Sequence, residues 1–306
     1  MIAIVSAVVF VIFYVLPSAD PAQLRAGRNA SPAQVDAIRH SLGLDKPVYT
    51  QYYEYMKNIV LHFDFGYSYQ STTDVRALIF DRLPATALLV AGAAVLWLGM
   101  GIPVGIISAV KRRSFLDRST MVTTLAFISA PVFWLGLVAL YLFADDVGVF
   151  PIFPGIGSYA SATTFAQKCG SMILPWFVLA AASAAIYARY LRSSMIDTMS
   201  EDYIRTARAK GLSERTVIMR HGVRSAITPI VTLLGLDIGV LLAGNAILTE
   251  SVFNIPGVGR LVFTGIQTSD LPVIQGVTLF GAFFIIFFNL VVDIAYAYLD
   301  PRVRFQ

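Results

Sequence analysis

Two carboxylates stand inside stretches that are otherwise apolar, Asp237 and Asp293, with Asn245 and Asn289 as uncharged companions. An ionisable group in hydrocarbon is costly, so each is read first as a functional candidate, a proton relay or a substrate contact. The plainer reading of Asp237 is a hydrogen-bonded contact between helices or a place in a wet cavity. Asp293 lies near the end of its run, where a structural role is favoured. Asp237 and Asn245 are the candidate residues of a translocation path. Little else could make or break bonds. The phosphate-cradling pattern Gly-x-x-x-x-Gly-Lys-Ser/Thr is absent, as are Gly-x-Ser-x-Gly and His-Glu-x-x-His. His40 and His62 are isolated and lack metal-ligand spacing, and His221 sits in an apolar slot of a polar loop. The single cysteine, Cys169, excludes an internal disulfide and reads as inert packing. The sequence therefore predicts no catalytic residue, no metal site and no resident cofactor. Any energy must come from a partner or an ion gradient.

One polar segment, Glu201–Pro229, stands between two apolar runs. A structureless loop of about 30 residues would be unusual. Ala, Arg and Lys dominate Tyr203–Lys210, Gly211 is placed to stop a helix, and Ser213 can cap the next. The expectation is a short helix, a turn and a second helix re-entering the next apolar run. Such a helix can present one face to a soluble partner and move its flanking spans as a lever.

The elements that carry these groups follow from composition. Of 306 residues, 57% are hydrophobic and only 14% charged, against about 25% charged in soluble domains. A bilayer core needs roughly 20 apolar residues of helix. Runs of that kind are Pro84–Val110, Met121–Phe143, Met172–Tyr190, Ile227–Leu248 and Val273–Leu299, preceded by a shorter one at Ile2–Leu16. The first run has no positive flank of the signal-peptide kind, so it reads as a span whose start lies upstream of Met1. The expected fold is all-α and polytopic, with six transmembrane helices and a small extracytoplasmic subdomain after helix 1. The expected divisions are 1–16 as transmembrane helix 1, 17–83 as that subdomain, and 84–306 as a five-helix core holding loop 191–226. Within the subdomain, Ser31 and Pro32 signal a helix start, Gly43 its end, and Gln51–Leu61 a second helix.

Orientation comes from the basic loops. Lys111–Arg118 holds four basic residues against Asp117 alone, and Leu191–Ala226 holds seven against four acidic ones. Arg302 and Arg304 add to the tail, whereas Pro17–Leu83 balances seven basic with seven acidic residues. The net charge of +4 is thus a matter of topology, with no sign of a nucleic-acid partner. Both termini and the two basic loops are expected in the cytoplasm, and the neutral segment outside. Gly101–Gly105 and Gly235–Gly239 are small-xxx-small spacings that permit close helix contact.

The run Tyr203–Gly211 resembles the EAA loop of binding-protein-dependent ABC importer permeases. Gly211 matches that loop's glycine and Ala207 its second alanine. Arg205 replaces the usual Glu, Thr206 the first Ala, and His221 and Arg224 the later Ile and Pro. These departures fit the peptide and nickel branch, whose loops are similar to Glu201–Leu212 almost letter for letter. Arg192–Met195, Glu250–Arg260, Leu42–Pro47 and Asp64–Ser68 also resemble segments of that branch, in the same order.

The resemblance implies an inner-membrane permease subunit that pairs with a second, homologous permease. Two cytoplasmic ATP-binding subunits would bind ATP and Mg below it, and an extracytoplasmic substrate-binding protein would dock above. Asp202, Tyr203, Arg205, Thr206, Ala207, Arg208, Ala209, Lys210, Gly211 and Leu212 would form the ATPase-coupling loop. The path would be lined by spans two to five. Peptides are the favoured cargo and a nickel chelate the alternative within the branch. Competing readings are a proton-coupled secondary transporter relying on Asp237, against which the lack of internal repeats weighs, and a channel-forming subunit, which gives the polar loop no purpose.

Overall fold

A computed structural model describes residues 2–15, 20–27 and 30–299. The chain begins with α1 (Ile2–Phe10), α2 (Pro21–Ala26), α3 (Pro32–Ser41) and α4 (Val48–Lys57). Next come α5 (Val75–Val110), α6 (Phe115–Ser129), α7 (Val132–Phe143), the short α8 (Ser158–Ser161) and α9 (Phe165–Thr198). The remainder is α10 (Asp202–Ala209), α11 (Glu214–Thr216), α12 (Arg224–Ala226), α13 (Thr228–Val240), α14 (Ile247–Val252), α15 (Val258–Thr268) and α16 (Leu271–Leu299). Wider π-helical turns follow α1, α4, α11 and α13, and the described residues contain no β-strand.

Several ends differ from the apolar runs. The helix expected from Pro84 begins at Val75 and passes through Pro84 and Pro103. At 36 residues it is about 54 Å long, so much of it is surplus to a bilayer core. Its polar start, with Arg76, Asp81 and Arg82, hid the helix from a reading based on apolarity. The helix expected at Met172–Tyr190 runs from Phe165 to Thr198, so Leu191–Thr198 is helix where a loop was expected. Thr164 and Gln167 form a capping box that fixes its start. The run Met121–Phe143 is two helices bent by 101°. Pro131 causes the break: Ala130 before it is extended (φ −81°, ψ 126°), as sterics before proline require. The expected helix at Gln51–Leu61 is α4 with the turn Asn58–His62 after it. Ser31 and Gln34 form a reciprocal cap on α3, as the sequence signals.

Four described helices are long and apolar enough to cross a membrane, or five if α6 and α7 count as one span. The apolar stretch Ile4–Phe13 is shorter. Leu16 of the expected first span, Pro17 at the start of the expected subdomain, and Arg302 and Arg304 of the basic tail lie outside the described residues.

The chain divides into two compact units, one holding Met1–Thr86, Gly239–Ile247 and Pro256–Phe287, the other Ala87–Ile238, Leu248–Ile255 and Phe288–Gln306. In the first unit, Val75 and Ile79 are buried with Val258, Leu261, Val273, Val277 and Phe280. Asp270 is 3% exposed, and its carboxylate accepts from Ser68 Oγ, from Tyr69 N–H at 3.0 Å and from Gln70 N–H. That buried acceptor ties residues 68–70 to the start of α16. Gly244 adopts φ +104°, which breaks the helix before α14 and lets Gly259 close in. A Cβ on Gly259 would stand 2.4 Å from the Gly244 carbonyl oxygen.

The second unit is organised on α9, against which α6 and α7 pack. Trp176 Nε1 donates to the Leu88 carbonyl at 3.0 Å. Gly101 and Gly105 of α5 face Ala184 and Ala188 of α9, and Cβ atoms there would lie 2.9 and 2.8 Å from those alanines' carbonyl oxygens. Such small-residue seams let dispersion contacts hold helices together in lipid, where no hydrophobic drive acts between them. Gly105→Val should cost about 1–3 kcal/mol by overpacking against a backbone that cannot yield. Thermal unfolding in detergent should show this loss, while Gly99→Val, where a Cβ meets nothing within 4 Å, stays near the parent.

Candidate functional site

The polar segment after α9 folds as expected into helix, turn and helix. Glu201 is extended at the N-cap of α10, and Asp202 places its charge in the first turn, where the helix dipole favours an acid. Two residues one turn apart point inward: Ile204 is fully buried and Ala207 6% exposed, packed with Val217 and Met199. That small cluster is the whole apolar anchor of a helix whose other residues are exposed. Asp202, Tyr203, Arg205, Thr206, Arg208, Ala209 and Lys210 all reach solvent, as do Gly211 and Leu212 beyond the helix end.

The end of α10 is a Schellman motif. Gly211 N–H donates to the Arg208 carbonyl at 2.9 Å, and Leu212 N–H to the Ala207 carbonyl at 3.4 Å. Gly211 lies at φ +77°, the left-handed position such a motif demands, and a Cβ there would meet nothing within 4 Å. Its requirement is therefore one of backbone torsion, not space. Ser213 follows at the N-cap of α11, though its hydroxyl pairs with Thr216 Oγ1 and leaves the backbone uncapped. Arg208 bridges the turn to Glu214 at 2.7 Å, and Arg205 pairs with Asp202 at 3.2 Å. Both pairs are exposed and contribute little, about 0–1 kcal/mol.

The two path candidates fall in different units. Asp237 on α13 accepts from the Tyr187 hydroxyl of α9 at 2.8 Å, and Tyr187 is 1% exposed with its ring 5.9 Å from that of Trp97. This is a hydrogen-bonded contact between helices. Asn245, in the other unit, is exposed at the end of the turn Leu241–Asn245. Tyr187 was missed from sequence, because nothing in a lone tyrosine on an apolar helix announces a partner fifty positions on. A cavity of about 840 Å³ opens among α5, α6, α7 and α9, lined by groups such as Met100, Val104, Phe127, Leu142, Phe177 and Ala181. Among the described residues, no three His, Cys, Asp or Glu side chains cluster in a way that could hold a metal ion.

Long apolar helices interrupted by an exposed, charged helix-turn define a polytopic membrane protein. Residues 101–305 match the family described as binding-protein-dependent transport system inner membrane component. Residues 1–90 match the N-terminal part of the same transport-system membrane component. The chain belongs to this family, the permease subunits of ABC importers, in its peptide and nickel branch. It is 41% identical over 303 residues to the glutathione transport system permease protein GsiC of Escherichia coli strain K12, covering 99% of this chain and 94% of that one. The GsiC of Shigella dysenteriae serotype 1 gives the same values, and that of Escherichia coli O6:H1 is 40% identical over the same length. Members are membrane permease components and not enzymes by themselves, and their transport relies on a substrate-binding protein and an ATPase.

Gly211→Val should weaken the α10 end by about 1–2 kcal/mol, the cost of left-handed torsion for a residue with a branched Cβ. Amides of residues 207–212 should then exchange roughly 5- to 30-fold faster. Gly211→Asn, which tolerates that torsion, should exchange near the parent rate.

Proposed function

We propose that this subunit carries peptides across the inner membrane, with α10 and the Gly211 turn as the element on which a cytoplasmic ATPase docks. One observation carries the reading. Helix α10 is anchored by only two inward residues and leaves an exposed face of Tyr203, Thr206, Ala209 and Lys210 to a partner. The chain has no phosphate-cradling loop, so ATP and Mg belong to separate subunits. A second, homologous permease completes the membrane part, and two ATPases and one substrate-binding protein complete the complex.

In this reading the chain has six spans, with α6 and α7 together making the third and the first lying at the chain start. Segment 17–83 is extracytoplasmic, and the basic loops and both termini are cytoplasmic. ATP binding draws the docked helices together, and spans two to five open a route between them. The cavity among α5, α6, α7 and α9 is free space along that route. The relatives' glutathione is peptide-like and supports a peptide over a nickel chelate as cargo.

Cysteines placed singly at Thr206, Ala209 and Ala207 test the docking. In the assembled complex, Thr206→Cys and Ala209→Cys should crosslink to an ATPase groove, and the inward Ala207→Cys should not. Labelling of Ala209→Cys by an impermeant reagent from the extracytoplasmic side would overturn the proposal. Uptake of a labelled tripeptide and of a nickel chelate by proteoliposomes should favour the peptide.

A further inference from the structure

We infer that the ion pair of Asp117 and Arg192 is a mechanical clamp that makes the base of α9 move as one body with α5 and α6, and that Arg192 is a positioning residue for coupling. The inference rests on the reading that α10 docks the ATPase. It assigns a route by which displacement of α10 reaches the spans.

The geometry sets this pair apart from the other charges of the polar loops. Asp117 is 4% exposed, whereas both members of Arg205–Asp202 and of Arg208–Glu214 are open to water. Its carboxylate accepts from Arg192 Nε at 2.7 Å and from Nη2 at 2.9 Å, a two-pronged bond. It also accepts from Ser108 Oγ at 2.5 Å and from the Arg113 N–H at 2.8 Å. One carboxylate thus fastens the end of α5, the turn after it, the first turn of α6 and the side of α9. The planar guanidinium fork meets a carboxylate in only a few orientations, so this bond fixes angle as well as distance.

Neighbouring contacts make the fastening rigid. One turn above, Gly105 stands against the Ala188 carbonyl and Leu191 Cβ. On the other side, Ser194 Oγ donates to the Ala226 carbonyl at 3.0 Å, tying α9 to the strand of helix that returns from α10. Helix α9 ends at Thr198, and α10 starts at Asp202. A force on α10 therefore enters a segment bolted on both sides. Stability alone does not call for such a pair, because a buried ion pair is often matched by apolar groups of similar volume. What apolar groups cannot supply is the fixed orientation.

The test uses the assembled complex of both permeases, the ATPases and the binding protein in proteoliposomes. Spin labels at Phe115→Cys and Arg215→Cys, with the native thiol removed by Cys169→Ser, read the distance between α6 and α11 with and without ATP and vanadate. With Asp117 and Arg192 intact, the distribution should stay narrow and unshifted on ATP binding. In Arg192→Met, and in the double variant Asp117→Asn/Arg192→Met, it should broaden and shift, and Arg192→Lys should fall between. The double variant keeps one acceptor oxygen for the Arg113 N–H and an amide that can donate to the Ser108 hydroxyl, and it leaves no unpaired charge, so it guards against simple misfolding. Transport per ATP of labelled glutathione should fall at least tenfold in it, with ATPase co-purification unchanged. A double variant with a narrow, unshifted distance would overturn the clamp. Failure of the ATPase to co-purify with the parent protein would instead overturn the docking reading.

Discussion

Hydrocarbon offers no water to a peptide group, so each N–H and C=O in a spanning segment must find its partner within protein. The chain's long helices follow from that one constraint. Helix α5 runs unbroken through Pro84 and Pro103, and α9 through Pro175. In water each proline interior to a helix costs about 3 kcal/mol and tends to end it. In lipid the alternative to helix is worse, so helix persists. The same constraint dictates how helices meet. Lipid tails are as apolar as leucine, so association depends on close contact, and the Gly101–Gly105 seam against Ala184–Ala188 supplies it.

The buried and half-buried carboxylates then appear where they are matched. Asp237 has the Tyr187 hydroxyl, Asp117 has four donors, and Asp270 has a hydroxyl and two backbone N–H groups. Burying an unmatched carboxylate would cost several kcal/mol. The exposed charges of α10 obey a different rule. They stabilise the chain little, which leaves that face free to be shaped for a partner. The family assignment agrees with this division: its members are membrane permease components and not enzymes by themselves.

Much of this was legible in the residues. Apolar runs located the long helices, basic loops suggested a topology, and the Glu201–Leu212 motif pointed to the family that the comparisons establish. Gly211 as a helix stop was readable, because a glycine after an Ala- and Arg-rich run has few other uses. Four things were not readable, each for a physical reason. Helix starts such as Val75 lie in polar sequence, where hydropathy is silent. The 101° break at Pro131 lay inside one apolar run, and a proline there could have been passed through, as Pro84 and Pro103 are. The inward aim of Ala207 depends on where Val217 folds back, a contact between residues on opposite sides of a turn. Partners such as Tyr187 for Asp237 and Arg192 for Asp117 are likewise set by tertiary packing.

The approach of Gly244 to Gly259 has a consequence for inheritance. The obstacle to a side chain at Gly259 is the main-chain oxygen of Gly244, an atom that every amino acid possesses. No substitution at Gly244 can remove it, and any residue other than glycine there must also hold φ at +104°. Genetic reversion of damage at Gly259 by a change at Gly244 is thus closed off. The two codons form one irreplaceable locus, and a lineage can drift past it only by remodelling the backbone around both.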